Sequence, residues 1–110
     1  DMLETVIRRI AGEPRSPSPD DIKRTCIDLY RISKTDIQSA SKVRTICHPR
    51  QVAMYLSKQL TSRSLPEIGR KFGGRDHTTV MHAVRKVAEL KATDSSFAED
   101  VELLRRMLEA

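Results

Sequence analysis

Ser64-Leu-Pro-Glu-Ile-Gly-Arg-Lys-Phe-Gly-Gly-Arg-Asp-His-Thr-Thr-Val-Met-His-Ala-Val-Arg-Lys-Val87 reads as a short helix, a glycine corner and a longer helix. Ser64 fits an N-cap, and Leu65 and Pro66 fall in the first turn, where proline's missing N–H does no harm. Glu67, three residues after Ser64, completes a capping box. The helix is expected to run to about Phe72 and to stop at Gly73-Gly74, which supply the positive φ of a tight corner. Asp76 then fits the cap of the second helix. Two helices joined by a short glycine turn have the form of a helix-turn-helix.

The second helix divides its faces unusually. Val80, Ala83, Val84, Val87 and Leu90 form one apolar stripe. At about 100° per residue, Thr78, His82 and Arg85 fall opposite, flanked by Thr79 and Lys86. That face has no carboxylate until Glu89, whereas a merely solvated face usually mixes both signs. It suits an anion.

The whole chain has 110 residues and net charge +5, enough for one small domain with a modest core of Leu, Ile, Val, Ala and Met. The charge is unevenly spread: residues 22–87 hold 14 Lys or Arg against 4 Asp or Glu, and both ends are acidic. A basic centre of this kind is the footprint of a nucleic-acid surface. No apolar run approaches the ~18 residues of a membrane span, no secretory leader pattern opens the chain, and no basic amphipathic helix with a bulky apolar face suits a membrane surface. Cys26 and Cys47 lie far apart without a CxxC pattern, and read as reduced, partly buried thiols of a cytosolic protein rather than a disulfide or metal pair. The start at Asp1, without an initiator methionine, suggests a piece of something longer.

Along the chain, Leu3, Val6, Ile7 and Ile10 have helical spacing before the Gly12–Pro19 stretch, with its three prolines, breaks it. Residues 1–17 therefore read as a connector helix and linker, and 18–110 as the domain. Ser18-Pro19-Asp20-Asp21 starts a helix running to about Ile32. Ser33 or Thr35 can cap a short turn holding Asp36 and Ile37, and residues 38–45 read as an exposed loop carrying Lys42 and Arg44. Pro49 fits the first position of a helix whose buried stripe is Val52, Ala53, Tyr55, Leu56 and Leu60. After Leu90 a break is expected over 91–94, and Ser96 with Glu99 opens a last helix faced by Phe97, Val101, Leu104 and Leu108. No strand-period alternation occurs, so the fold class is all-α: a helical bundle with a helix-turn-helix.

No catalytic or metal constellation emerges. His77 and His82 are five apart, about 140° around a helix, which spoils the i, i+4 metal geometry, and the Gly69–Gly74 segment lacks the spacing of a phosphate loop. Neither catalytic nor metal residues are assigned. DNA binding accounts for more. The first turn of a recognition helix reaches base edges, and here it is Asp76-His77-Thr78-Thr79. Asp can accept from cytosine N4 and Thr can bond a base or touch a thymine methyl; plain N-capping is the alternative for Asp76, and both can hold at once. His82, one turn on, is either simply solvated or a phosphate contact. Lys58, Arg50 and Arg44 are either ordinary surface charges or phosphate contacts. Lys42 and Arg44 suit an arm in an adjacent minor groove. The chain lacks the aromatic platform of single-strand RNA readers. Two other readings remain: a protein-interaction domain whose basic face docks an acidic partner, and a dimeric helix-turn-helix repressor of a palindromic site.

Residues 68–87, together with His48-Pro-Arg-Gln-Val-Ala-Met-Tyr-Leu-Ser-Lys-Gln-Leu-Thr61 and the Leu65–Ile68 helix start, closely resemble the signature of the bacterial chromosomal replication initiator family, DnaA. The likeness covers most of residues 19–91 and is specific. It implies the C-terminal DNA-binding domain, a fold related to the Trp repressor, acting in the cytoplasm at the nucleoid as a monomer on duplex DNA. Its targets would be short asymmetric origin elements, the DnaA boxes (TTATCCACA-like). Major-groove reading then falls on Asp76, His77 and Thr78, with Leu65 and Pro66 against a base methyl or the backbone. Phosphate contacts fall on Arg50, Gln51, Lys58, Thr79 and His82, with Arg75 joining them. The family's minor-groove arginine is matched by Lys42, which lacks arginine's planar fork. ATP and Mg are expected only for the family's ATPase module, which these residues do not contain, so this part needs no cofactor and is no enzyme.

Overall fold

The computed structural model describes residues 17–39 and 43–109. They form six helices, α1 (Pro19–Tyr30), α2 (Lys34–Gln38), α3 (Arg44–Leu60), α4 (Leu65–Lys71), α5 (His77–Thr93) and α6 (Ser95–Glu109), with no strand among the described residues. The connector helix expected over residues 2–10, and Lys42, lie outside the described residues.

Three of the helices start with the same local device. Ser18 Oγ accepts from the Asp21 N–H at 3.1 Å, while the Asp21 carboxylate accepts from the Ser18 N–H at 3.0 Å. Ser33 with Asp36 repeats this for α2, and Ser64 with Glu67 for α4. Each box satisfies donors that a helix start leaves without intrahelical acceptors. α1 ends slightly before Ile32 because Arg31 turns left-handed, at φ 57°.

Two boundaries depart from the sequence reading. α3 begins at Arg44 rather than Pro49: the carbonyl of Val43 already accepts from the Ile46 and Cys47 N–H groups, at 2.9 and 2.7 Å. Pro49 is buried inside the helix; proline's fixed φ suits a helix, but the carbonyl four residues back loses its donor and is crowded by the ring. Arg44 thus belongs to a helix and not to a loop. At the other end α5 runs on through Thr93, so Asp94 alone separates it from α6. Asp94 is extended and its carboxylate accepts from the Phe97 N–H at 3.1 Å, so Asp94 does the capping expected of Ser96. Lys91, Ala92 and Thr93 offer nothing strong enough to break a helix, and Asp caps as well as Ser.

α3 is the central helix, packed by α1 on one side and α5 on the other, with α4 against α5 and α6 against α5 and α1. Val52, Ala53, Met54 and Leu56 of α3 meet Ile22 and Cys26, Ile68 and Phe72, Val80, Ala83 and Val87, and Val101 and Leu104 in one core. Of the expected stripe of α5, Val80, Ala83 and Val87 are buried in this core, Val84 is partly buried against it, and Leu90 is only half-buried. Burial pushes the Cys26 thiol up to about 12, so it behaves as a small apolar core residue. The two cysteines are not bonded to each other.

Two cations, Lys23 and Arg50, are buried among the described residues, and Lys23 lies against the core. Lys23 is 6% exposed, with its ammonium donating to the Lys71 carbonyl and lying 5.1 Å from the centroid of the Phe72 ring. That carbonyl stands at the negative end of α4, where a cation offsets both the missing donor and the dipole. Desolvation lowers the Lys23 pKa, which marks the opposing cost. Lys23→Met keeps the stem and removes the charge. We expect it to lower stability by about 1–2 kcal/mol, the contribution of a hydrogen bond to a charged group less part of its desolvation, read as a fall in the urea midpoint at unchanged slope.

Candidate nucleic-acid interface

The corner between α4 and α5 is set by backbone contacts. Gly73 and Gly74 have φ of 89° and 75°, a conformation side-chain-bearing residues avoid. The chain then folds back so that the Arg75 N–H donates to the Gly69 carbonyl at 2.9 Å. A Cβ on Gly69 would stand only 2.0 Å from the Arg75 carbonyl oxygen, so α4 and the turn touch backbone to backbone. α5 starts directly after this contact.

Asp76 caps α5. Its Oδ1 accepts from the Thr79 N–H at 2.9 Å and from the Thr79 hydroxyl at 3.0 Å. These bonds favour the ionised form and hold the carboxyl below its ordinary pKa. A carboxylate has two oxygens and several acceptor positions, so capping and contact with a ligand are compatible. His77, Thr78 and Thr79 are exposed in the same turn, and His82, Arg85 and Lys86 are exposed further along the helix.

α3 supplies the adjoining wall. Gln51 lines a groove of about 360 Å³ with His82, Arg85, Lys86 and Glu89. Lys58 is exposed two turns further along α3, on the Gln51 side. Pro66 is exposed and Leu65 half-buried in the first turn of α4. Ion pairs among the described residues involve α1, α4 and α6, and none uses Lys58, Arg85 or Lys86. Gln51 and His82 are thus brought together. Arg85 and Lys86, seen on the polar face from helical spacing yet left out of the phosphate set, join them in the groove.

Three sequence-chosen cations sit elsewhere. Arg50 is 7% exposed and donates through Nη1 to the Ser39 carbonyl at 2.8 Å. Arg75 is half-buried, with Nη2 donating to the same carbonyl and to that of Gln38 at 3.4 Å. Arg44 lies exposed at the start of α3 and lines a different cavity of about 350 Å³ with Tyr30, His48, Phe97, Asp94 and Asp100. There the His48 ring meets Phe97 edge-on at 5.9 Å. Desolvation, then Arg44 and Lys86, hold the imidazole pKa below its usual value.

No group of three or more His, Cys, Asp or Glu suited to a metal ion occurs among the described residues, and no helix there is long and apolar enough to cross a membrane. Two helices joined by a backbone-moored glycine corner, the second capped and cationic along its outer face, define a helix-turn-helix domain. Residues 19–87 match the model of a family described as "Bacterial dnaA protein helix-turn-helix". The chain belongs to that family. It is 61% identical over 109 residues to the chromosomal replication initiator protein DnaA of Gluconobacter oxydans (strain 621H), covering 99% of this chain and 21% of that protein. Against the DnaA of Ruegeria pomeroyi it is 56% identical, covering all of this chain and 23% of the relative. Against that of Cereibacter sphaeroides (strain ATCC 17029 / ATH 2.4.9) the identity is 54%, over 24% of the relative. The chain therefore spans roughly a fifth to a quarter of these relatives' length.

Proposed function

We propose that this chain binds double-stranded DNA at short asymmetric elements of the replication origin, in the initiation and regulation of chromosomal replication. The observation that carries this reading is the exposed first turn of α5, with Asp76, His77 and Thr78 beside the Gln51–His82–Arg85–Lys86 groove. A helix N-terminus with exposed polar side chains fits the major groove and reads base edges. Cations along α3 and α5 grip the flanking phosphates without reading sequence.

In this reading Asp76, His77 and Thr78 contact bases, and Leu65 and Pro66 lie against a thymine methyl or the sugar-phosphate backbone. Thr79, His82, Gln51 and Lys58 hold phosphates, joined by Arg85 and Lys86, while Arg44 touches backbone beyond the groove. Lys42 enters the adjacent minor groove as a point charge, without the two-pronged bond an arginine forms. One chain occupies one element. Residues 1–17 connect the domain to an ATPase module elsewhere in the protein, and ATP and Mg act there.

Selection of binding sites from random duplex DNA tests the proposal. Enrichment of one asymmetric element supports it, a palindrome favours a dimeric repressor, and no enrichment favours docking to an acidic protein. A second expected result concerns the grip. Lys58→Ala should weaken cognate and scrambled duplexes alike and reduce the salt dependence by about one ion. Titration over a range of salt concentrations checks it, and an unchanged slope would take Lys58 off the phosphates.

A further inference from the structure

We infer that Arg75 is a positioning residue for the base-reading turn: its guanidinium moors the glycine corner to the end of α2, and sequence discrimination depends on that mooring. The inference rests on the proposal that the first turn of α5 reads DNA. It gives Arg75 a different task from the phosphate contact implied by family resemblance.

Gln38 and Ser39 end a five-residue helix, and the last carbonyls of a helix lack intrahelical donors. Arg75 Nη2 donates to both, and Arg50 Nη1 reaches the Ser39 carbonyl at 2.8 Å. Two guanidiniums at one carbonyl repel each other; desolvation first and Arg50 second lower the Arg75 pKa. Charge-assisted bonds at the negative end of a helix offset that cost. Arg75 Nε is itself buried, so this guanidinium is turned into the protein and not laid on its surface.

The end of α2 grips the corner at two further points. Gln38 Nε2 lies 3.4 Å from the Lys71 carbonyl, to which it donates. A Cβ on Gly73 would stand 2.7 Å from the Gln38 carbonyl oxygen. On the opposite side, the Arg75 N–H is bonded to Gly69 of α4. Residues 72–75 are therefore held between α2 and α4, and Asp76 follows with no intervening residue. The position at which α5 presents Asp76, His77 and Thr78 is inherited from this grip. Hydrogen bonds to base edges tolerate only a few tenths of an ångström, so loosening the corner should cost base reading first. Bonds to phosphates from Lys58, Arg85 and Lys86 can be recovered by those long flexible side chains.

The test compares wild type, Arg75→Gln, Arg75→Lys, Arg50→Gln and the Arg50→Gln/Arg75→Gln double variant on the selected element and on a scrambled duplex. Affinities are measured over a range of salt, with urea midpoints recorded for each. Arg75→Gln should lower the cognate-to-scrambled affinity ratio about tenfold, the size of one mismatched base pair, leaving scrambled affinity and salt slope unchanged. Arg75→Lys keeps the charge and has donors enough for two carbonyls, but its ammonium stands one bond nearer the backbone than Nη2 and lacks the rigid plane that aims it, so discrimination should also fall. Because both arginines act on one carbonyl, the double variant should lose less than the product of the single losses. Equal weakening on both duplexes with a salt slope shallower by about one ion would overturn the inference in favour of a phosphate contact. Retained discrimination in Arg75→Gln or Arg75→Lys would overturn it as well. A wild-type chain that does not discriminate would instead remove the proposed function on which the inference stands.

Discussion

Asp76→Asn should lose about 1–3 kcal/mol on the cognate element, as one hydrogen bond from a base to a charged carboxylate oxygen is removed, yet bind scrambled DNA slightly more tightly. The two signs come from two physical roles. Asp76 caps α5 through Oδ1, and Asn caps about as well, so the helix start survives; alanine there would lose about 0.5–2 kcal/mol of stability and confuse the result. With its amide oxygen engaged in capping, Asn turns an NH2 group outward. That group cannot accept from cytosine N4, whereas a carboxylate can. Removing a negative charge from a surface facing phosphates also lessens repulsion on any sequence. His77→Ala, which touches no cap, should show a cognate loss of similar size and little change on scrambled DNA. Paired titrations on the two duplexes check both. If Asp76→Asn raises both affinities equally, the carboxylate acts as a cap alone and reads nothing.

Much of this candidate interface is legible in sequence because it is local. The Ser64–Glu67 box, the Asp76 cap and the stripe through Val80, Ala83 and Val87 each rest on residues three or four apart, and each is where spacing puts it. What sequence spacing missed are partnerships between distant positions. Arg50 and Arg75 look like surface cations until their acceptors are seen, and those acceptors are backbone carbonyls 11 and 36 residues away. A carbonyl has no letter in the sequence, so nothing marks it as a partner. Lys23 is hidden for the same reason, since its acceptor is the carbonyl of Lys71, 48 residues on. The α3 start at Arg44 was missed because Val43 offers no side-chain cap while Pro49 imitates a helix start. Arg85 and Lys86 were open to recognition: their position on the cationic face of α5 follows from helical spacing alone.

Gly69→Ala should be the most damaging single methyl addition near the site. Gly69 lies in the interior of α4, and on helix propensity alone alanine there would gain about 1 kcal/mol. The added Cβ would stand 2.0 Å from the Arg75 carbonyl oxygen and 2.9 Å from its carbon, and both belong to backbone. A flexible side chain could swing away from such a contact, but a peptide group moves only by shifting the chain that carries it. That chain is gripped by the Arg75 N–H bond to Gly69 itself and by the guanidinium bonds to the end of α2. Overpacking in a constrained site costs about 1–3 kcal/mol and at times more, and a clash this close belongs at the upper end, so it outweighs the propensity gain. We expect a net stability loss of about 2 kcal/mol, seen as a lower urea midpoint at unchanged slope. Cognate affinity should fall further than scrambled affinity under conditions where the variant is still folded. The displaced atoms are those immediately before Asp76, so the shift passes directly into the turn proposed to read bases, while Lys58 and Gln51 on α3 stay in place. A Gly69→Ala variant as stable and as discriminating as the wild type would mean that the corner yields without moving α5. It would also mean that the close approach of α4 to the turn does not set where the bases are read.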